Sequence, residues 1–280
     1  MKVSELWLYP VKSMVGHTVS SVNLTNLGIA GDRHWAIRDN ERGGIRGAKK
    51  IGDLMQFVAQ PISENTVDIA ISFPSGEVVR SDDTDVHEKL SRALGRSVSL
   101  QSLPQNGELE HFRRGAPDSA DGLQELRGIF GREENEPLPD FSAFPPEVVE
   151  FESPPGTHHD CWPLMVMTTS AMAALSRALP ESVVDILRFR PSLVIDTGAD
   201  DGHVEFSWKG RVASVGSATV EFLDPCPRCI MITRKINEAI PEDRSILRHV
   251  VKDLNQAVGV YARVLTPGVV SVHDDLIFQS

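Results

Sequence analysis

Cysteine is scarce in this 280-residue chain, with only three at 161, 226 and 229. That number is too small and odd for a disulfide framework, so in a reducing compartment the thiols are free for core packing, metal ligation or nucleophilic work. Nowhere does a run of about 18 uncharged apolar residues occur, and Met1-Lys2-Val3-Ser4-Glu5 lacks the apolar stretch that follows the basic end of a signal peptide. A cytoplasmic protein with no membrane partner is expected. Basic residues are also in deficit: 28 Lys and Arg stand against 39 Asp and Glu, a formal charge of -11. Counterion release onto nucleic acid therefore has no global electrostatic footprint, and any anionic ligand must be met by local cations.

What is present is ordinary globular material, 41% hydrophobic and 24% charged, which suits a packed core and excludes disorder and coiled coil. Short β-prone runs separated by turn residues (19–24, 67–73, 98–100) predict a mainly β first unit. One helix interrupts it, capped in Asp82-Asp83-Thr84, with Val86, Leu90 and Leu94 on one face and a stop at Gly95. From about Gly107 to Gly156, prolines at 137, 139, 145, 146, 154 and 155 and an acidic stretch predict a long irregular layer, functional or a solvated linker.

Patterning resumes at Leu164, and Thr168-Thr169-Ser170 forms an N-cap signal before Met172, Leu175 and Leu179. Strands are expected over 192–196, 211–223, 260–266 and 269–272, the last two joined by a turn at Pro267-Gly268. Between them, Pro241-Glu242-Asp243 opens an amphipathic helix with Leu247, Val250, Val251 and Leu254 on one face, ending near Gly259.

The most informative local feature is Asp224-Pro225-Cys226-Pro227-Arg228-Cys229. A C-x-x-C pair can bind one metal or act as a redox dithiol, and an arginine between the sulfurs favours thiolate. A dithiol oxidoreductase wants the pair at a helix start in a βαβ unit, whereas here it follows a long strand. Three readings remain open. Zinc could take Cys226, Cys229, Cys161 and His159; a single thiolate could ligate a molybdenum or copper centre; or the cysteines could be small core residues. Cations at turn positions, Lys12 beside Ser13, Arg33 after Gly31-Asp32, and Arg190 before Pro191, suit a phosphate or pyrophosphate, although lysine and arginine are most often solvated. His158 and His159 could line an entrance but fit surface positions better, and Trp162 could wall a pocket.

In this order the motifs resemble the MOSC domain proteins, the family that includes the mitochondrial amidoxime reducing component and the C-terminal domain of molybdenum cofactor sulfurases. Leu6 to Ser13 and Gly28 to Trp35 resemble motifs of that family's N-terminal β-barrel domain. Phe189-Arg190-Pro191, Cys226-Pro227-Arg228-Cys229 and Gly259-Val260-Tyr261 resemble those of the MOSC domain itself. The resemblance implies a mainly β protein, a β-barrel MOSC fold with a few helices, divided as an N-terminal domain over 1–105, a connecting loop layer over 106–160 and a MOSC domain over 161–280. It also implies the molybdenum cofactor, a pterin bearing a dithiolene and a phosphate.

By motif, Cys229 is the expected catalytic residue and molybdenum ligand. Lys12, Ser13, Arg33, Arg190, Pro227, Arg228 and Tyr261 fall on cofactor-binding positions. The chain departs from the mitochondrial proteins at Cys161-Trp162, where they present small hydroxyl residues. The expected activity is reduction of a small N-hydroxylated or N-oxide substrate. No four-cysteine iron–sulfur pattern is present, so electrons would come from a separate iron–sulfur, flavin or haem protein. A cofactor carrier or sulfur-transfer module without turnover would use the same residues, and a zinc-stabilised β protein is the third alternative.

Overall fold

The computed structural model describes residues 1–63, 66–105 and 108–279. Residues 106 and 107, where the connecting layer is expected to begin, lie outside the described residues. The fold is mainly β, and its largest element is an eight-stranded sheet whose centre is the pair Ala218–Pro227 and Ala257–Thr266. Leu164–Thr168 and Leu193–Asp196 continue it as a parallel pair. The opening strand Lys2–Leu8 then adds antiparallel to Leu193–Asp196, so the start of the chain is part of the same sheet as its last third.

A β-barrel fold is expected, and among the described residues its hydrogen-bonded ladder is not closed. It ends at His17–Val19 on one side and Leu276–Phe278 on the other, each three residues long. The expected strand over 19–24 breaks at Ser20, and its second half, Ser21–Thr25, leaves the large sheet to pair with Gly268–Ser271. Val22, Leu24 and Val270 pack into the same core as Val3, Leu6 and Phe222. This packing, with backbone hydrogen bonds outside the ladder from Val3 N–H to Asp274 O, His273 N–H to Val3 O and Leu276 N–H to Met1 O, bridges the opening between the first and last strands.

The remaining N-terminal elements form two three-stranded antiparallel sheets, Trp35–Asp39 with Ile45–Arg46 and Val98–Ser102, and the meander Val58–Pro61, Ile69–Ser72, Val78–Arg80. The helix Val86–Leu94 packs Val86 and Leu90 inward and stops at left-handed Gly95, as its spacing predicts. Its N-cap position is Asp85; Asp83 instead accepts the Arg80 backbone N–H. Met231, Ile236 and Ile240 from beyond the C-x-x-C pair enter this N-terminal core. Both halves of the chain therefore share the wall on which the cysteine turn sits.

Three other expectations need correction. The region 107–156 is not irregular throughout: Gly122–Phe130 is a helix, N-capped by Asp121 through the Leu123 and Gln124 N–H groups and C-capped by left-handed Gly131. The stretch 211–223 is a hairpin, Val212–Val215 and Ala218–Pro227, turned at Gly216 with φ 54°. The late helix ends at Asp253, and Gly259 sits inside a strand. Its φ is +75°, and a Cβ there would come within 2.8 Å of Met165 Sδ and Val166 O, so only glycine lets the two strands close.

Candidate functional site

Between the N-terminal sheets, the helix-bearing layer and the end of the long strand lies a cavity of about 770 Å³. Lys12, Ser13, Arg33, Arg190, Pro227, Arg228, Cys229 and Tyr261 all line it, so residues up to 249 positions apart converge there. Nine lysine and arginine side chains and three carboxylates face this space, a local cationic excess in a protein of net charge -11.

Five of these cations, Lys12, Arg46, Arg188, Arg190 and Arg228, are buried rather than solvated. Lys12 is 2% exposed and donates to His158 O (2.8 Å), Ser153 Oγ (3.3 Å) and Asp160 Oδ1 (2.5 Å). Burial lowers its pKa, and Asp160 opposes that shift. Arg33 pairs with buried Asp32, which also accepts the Tyr9 N–H at 2.8 Å, and lies 5.0 Å from the Tyr9 ring centre. Arg190 reaches the same ring, its guanidinium carbon 4.2 Å from the centroid.

Arg188 and Arg190 show how environment separates two neighbouring arginines. Arg188 is wholly buried and spends its guanidinium on the carbonyls of Val183, Ile232, Arg234 and Pro241, tying the cysteine turn to the helix before it. Arg190 donates Nη1 to Met14 O, but its buried Nη2 has no hydrogen-bond partner. Burial and neighbouring Arg33 push Arg190 down to about 10. Arg190 thus lines a cationic cavity with one guanidinium nitrogen still without an acceptor, a donor that an anion could complete.

The strand Ala218–Pro227 delivers the two cysteines with register shifts after Phe222 and Pro225, where proline cannot feed the ladder. Cys226 is 4% exposed and sits in the helix-side core. Arg228 donates Nη1 to Cys226 Sγ at 3.1 Å and Nη2 to Phe189 O at 2.6 Å, so its guanidinium serves the first cysteine. Cys229 is half-buried, and burial raises its thiol pKa. The largest opposing influence is the charge of Lys49, ahead of Arg228.

Lys49, Asp160, Lys50 and Arg46 extend the site beyond the residues the motifs pointed to. Lys49 reaches Asp160 at 3.2 Å and its own pKa is raised, with Asp160 and Cys229 both favouring the charge against burial. Ser13 explains how that lysine is placed: at φ 68° its Oγ accepts the Ala48 N–H at 2.9 Å, fixing the turn that carries residue 49. The signal was the cationic run Lys49-Lys50 after a strand, which composition cannot tell from a solvated turn.

His158 and His159, expected at the surface, are 0% and 5% exposed. His158 Nδ1 lies 2.9 Å from Arg33 O, which requires a proton on Nδ1, and Nε2 then accepts from His111 Nε2 at 2.8 Å. Burial, with Lys12 and His111 nearby, pushes His158 down to about 3. Cys161 is buried and its thiol pushed upward by burial, and Trp162 lines the cavity. Among the described residues, no group of three or more His, Cys, Asp or Glu is placed to hold a metal ion, so the four-residue zinc set is not assembled. Nor, among them, is any helix long and apolar enough to cross a membrane.

A family model described as MOSC N-terminal beta barrel domain matches residues 1–112, and one described as MOSC domain matches residues 155–277. The chain is 24% identical over 238 residues to mitochondrial amidoxime reducing component 2 of Bos taurus, and 26% identical over 238 residues to the Homo sapiens protein of that name. Each match covers 82% of this chain and 66% of the relative, so the chain spans just under two thirds of the length of these proteins. The crystal structure of the YUAD protein from Bacillus subtilis aligns over 100% of this chain and 95% of its own, at 11% identity and a TM-score of 0.47.

Proposed function

The chain belongs to the MOSC family, an N-terminal MOSC β-barrel domain followed by a MOSC domain, and from that premise we propose that it is a molybdenum-cofactor-dependent oxidoreductase acting on N-hydroxylated small molecules. The observation that carries the reading is the unpartnered, buried Nη2 of Arg190 in a cationic cavity that also holds a soft thiol, Cys229. A group with a phosphate at one end and a sulfur-bound metal at the other matches both features.

Lys12, Arg33 and Arg190 would hold the anionic end. Tyr9 and Asp32 fix two of these cations before any ligand arrives, which lowers the reorganisation needed on binding. Cys229 would ligate the metal, and Lys49 favours its thiolate against the cost of burial. Arg228, through Cys226 Sγ and Phe189 O, holds the turn in which Pro227 and Cys229 sit, and Tyr261 closes the wall beside them. When bound, the cofactor supplies a two-electron oxygen-transfer centre. The overall change is an N–OH group plus two electrons and two protons going to N–H and water, with the electrons delivered by a separate redox protein.

The test uses protein purified from a host that makes the cofactor, with molybdenum measured by mass spectrometry and pterin by fluorescence after oxidation. Near-stoichiometric molybdenum with turnover of an N-hydroxylated substrate by a chemically reduced donor is expected. Cys229→Ser should abolish that turnover without changing the fold. Full activity with bound molybdenum in Cys229→Ser refutes the ligand role. Release of cofactor to an apo-enzyme without substrate turnover would assign the chain to carriage instead of catalysis.

A further inference from the structure

The helix Gly122–Phe130 is capped at both ends, yet none of its residues is buried. A nine-residue helix is too short to persist on propensity alone, so its stability in this fold must come from what its apolar face meets. That face, Leu126, Ile129 and Phe130, does not enter any of the three cores and instead lines the cavity that holds Arg190 and Cys229. Phe141 and Phe144 extend the same wall: Phe130 and Phe141 meet with centroids 5.6 Å apart, as do Phe141 and Phe144. Val149 continues it at 82% exposure.

Acids in and flanking the same segment pair with cations that line the cavity. Glu125 and Asp118 pair with Lys50, and Glu152 pairs with Arg114 at 2.8 Å. Positive charge is thereby paired with acid beside the apolar wall, whereas Arg188, Arg190 and Arg228, which also line the cavity, donate to backbone carbonyls and a thiol and not to carboxylates. An occupant of this outer half gains by burying hydrocarbon and gains little from a negative charge.

We infer that the segment 122–149 is a substrate-binding wall that selects uncharged N-hydroxylated compounds carrying an extended alkyl or aryl body, the body lying on Phe130, Phe141 and Phe144 and the N-hydroxy group pointing inward. This rests on the proposed activity and adds its substrate class. The wall is one side of the cavity that contains Cys229, so an apolar body held there stays attached to a head group inside the same space.

The experiment measures kcat/KM of the holoenzyme for N-methyl-, N-butyl- and N-octylhydroxylamine. Burial of each methylene should raise kcat/KM by about threefold to fourfold, the equivalent of ~0.8 kcal/mol, until the wall is covered. Phe130→Ser with Phe144→Ser should lower the octyl-to-methyl ratio at least tenfold. Val149→Asp, at a position too exposed to threaten folding, should lower it as well. A ratio that does not change along the series, or is the same in the variants, overturns the inference even though the activity stands. If no hydroxylamine is turned over, the activity reading has failed, and calorimetric titration of N-octylhydroxylamine decides the wall by itself: binding weakened at least tenfold by the variants supports it, and no binding overturns it. A protein partner as occupant would show as a flat series with protection of 122–149 from amide exchange only when the electron donor protein is added, which also overturns the inference.

Discussion

Replacing Arg190 by methionine tests whether this buried cation is kept for a ligand or for the fold. Residue 190 has φ 58°, a conformation that costs arginine and methionine alike, so backbone strain cancels in the comparison. Burial and the neighbouring Arg33 charge push the guanidinium down to about 10. A base with a lowered pKa is a net cost at every pH below the folded value, here roughly 3 kcal/mol at neutral pH. The variant recovers that amount and loses one hydrogen bond to Met14 O and the cation–π contact with Tyr9, together about 3 kcal/mol. Cofactor-free stability should therefore change by less than about 1 kcal/mol, a melting shift of no more than ~4 °C for a chain of this size. Affinity for the anionic cofactor should fall about 10-fold to 150-fold, the worth of one charge-assisted bond of roughly 1.5–3 kcal/mol. Thermal melts of cofactor-free protein, with pterin content per chain after loading across a concentration series, measure both. A fall of more than about 10 °C in the cofactor-free melt with loading unchanged, against the ~4 °C allowed above, would refute the reasoning.

Asp160→Asn leaves Lys12 and Lys49 facing each other without a carboxylate, so the cofactor-free protein should lose about 2–3 kcal/mol in urea unfolding, below the full cost of a buried pair because Asp160 is about a third exposed. The same variant should show a larger phosphate-induced rise in melting temperature than wild type, because a competing anion has been removed; an equal rise argues that Asp160 does not compete. His158, with its folded pKa at about 3 against 6.5, binds its proton in the unfolded chain first, so stability falls as pH drops from about 6.5 toward 3. His158→Gln should lose about 3 kcal/mol less than wild type between pH 7 and pH 4, and an unchanged acid limb would show that His158 is not the buried base responsible. Gly259→Ala should destabilise by about 2–4 kcal/mol, from left-handed strain plus contact with Met165 and Val166, and a chemical-denaturation midpoint equal to wild type would contradict the strand packing.

Several parts of the fold were legible because local chemistry decides them. The helix Val86–Leu94 follows from apolar spacing and a terminal glycine, and the helix Thr169–Ala178 from Thr168, whose side chain does accept the Ala171 N–H. The helix Gly122–Phe130 was missed although Asp121 and Gly131 are its caps, because proline density on its C-terminal side masked a short pattern whose apolar face meets no core. Lys49 was missed for a related reason: nothing within a few residues of it distinguishes a lysine in water from one facing a thiol across the cavity. Arg228 lies between both sulfurs in sequence, but the bend of the strand turns its guanidinium onto Cys226.

The sequence by itself determined the mainly β class, the cap at Thr168 and the stop at Gly95, and the identity of the convergent motifs, since each depends on residue type and near neighbours. Only the tertiary structure decided that Arg33 and Arg190 meet at one ring, Tyr9, with Lys12 buried in the same cavity, that Arg190 keeps an unpaired nitrogen while Arg188 does not, and that the apolar face of residues 122–130 opens onto the same cavity. Burial and pairing are properties of groups far apart in the chain, and their energies depend on which partners the fold supplies.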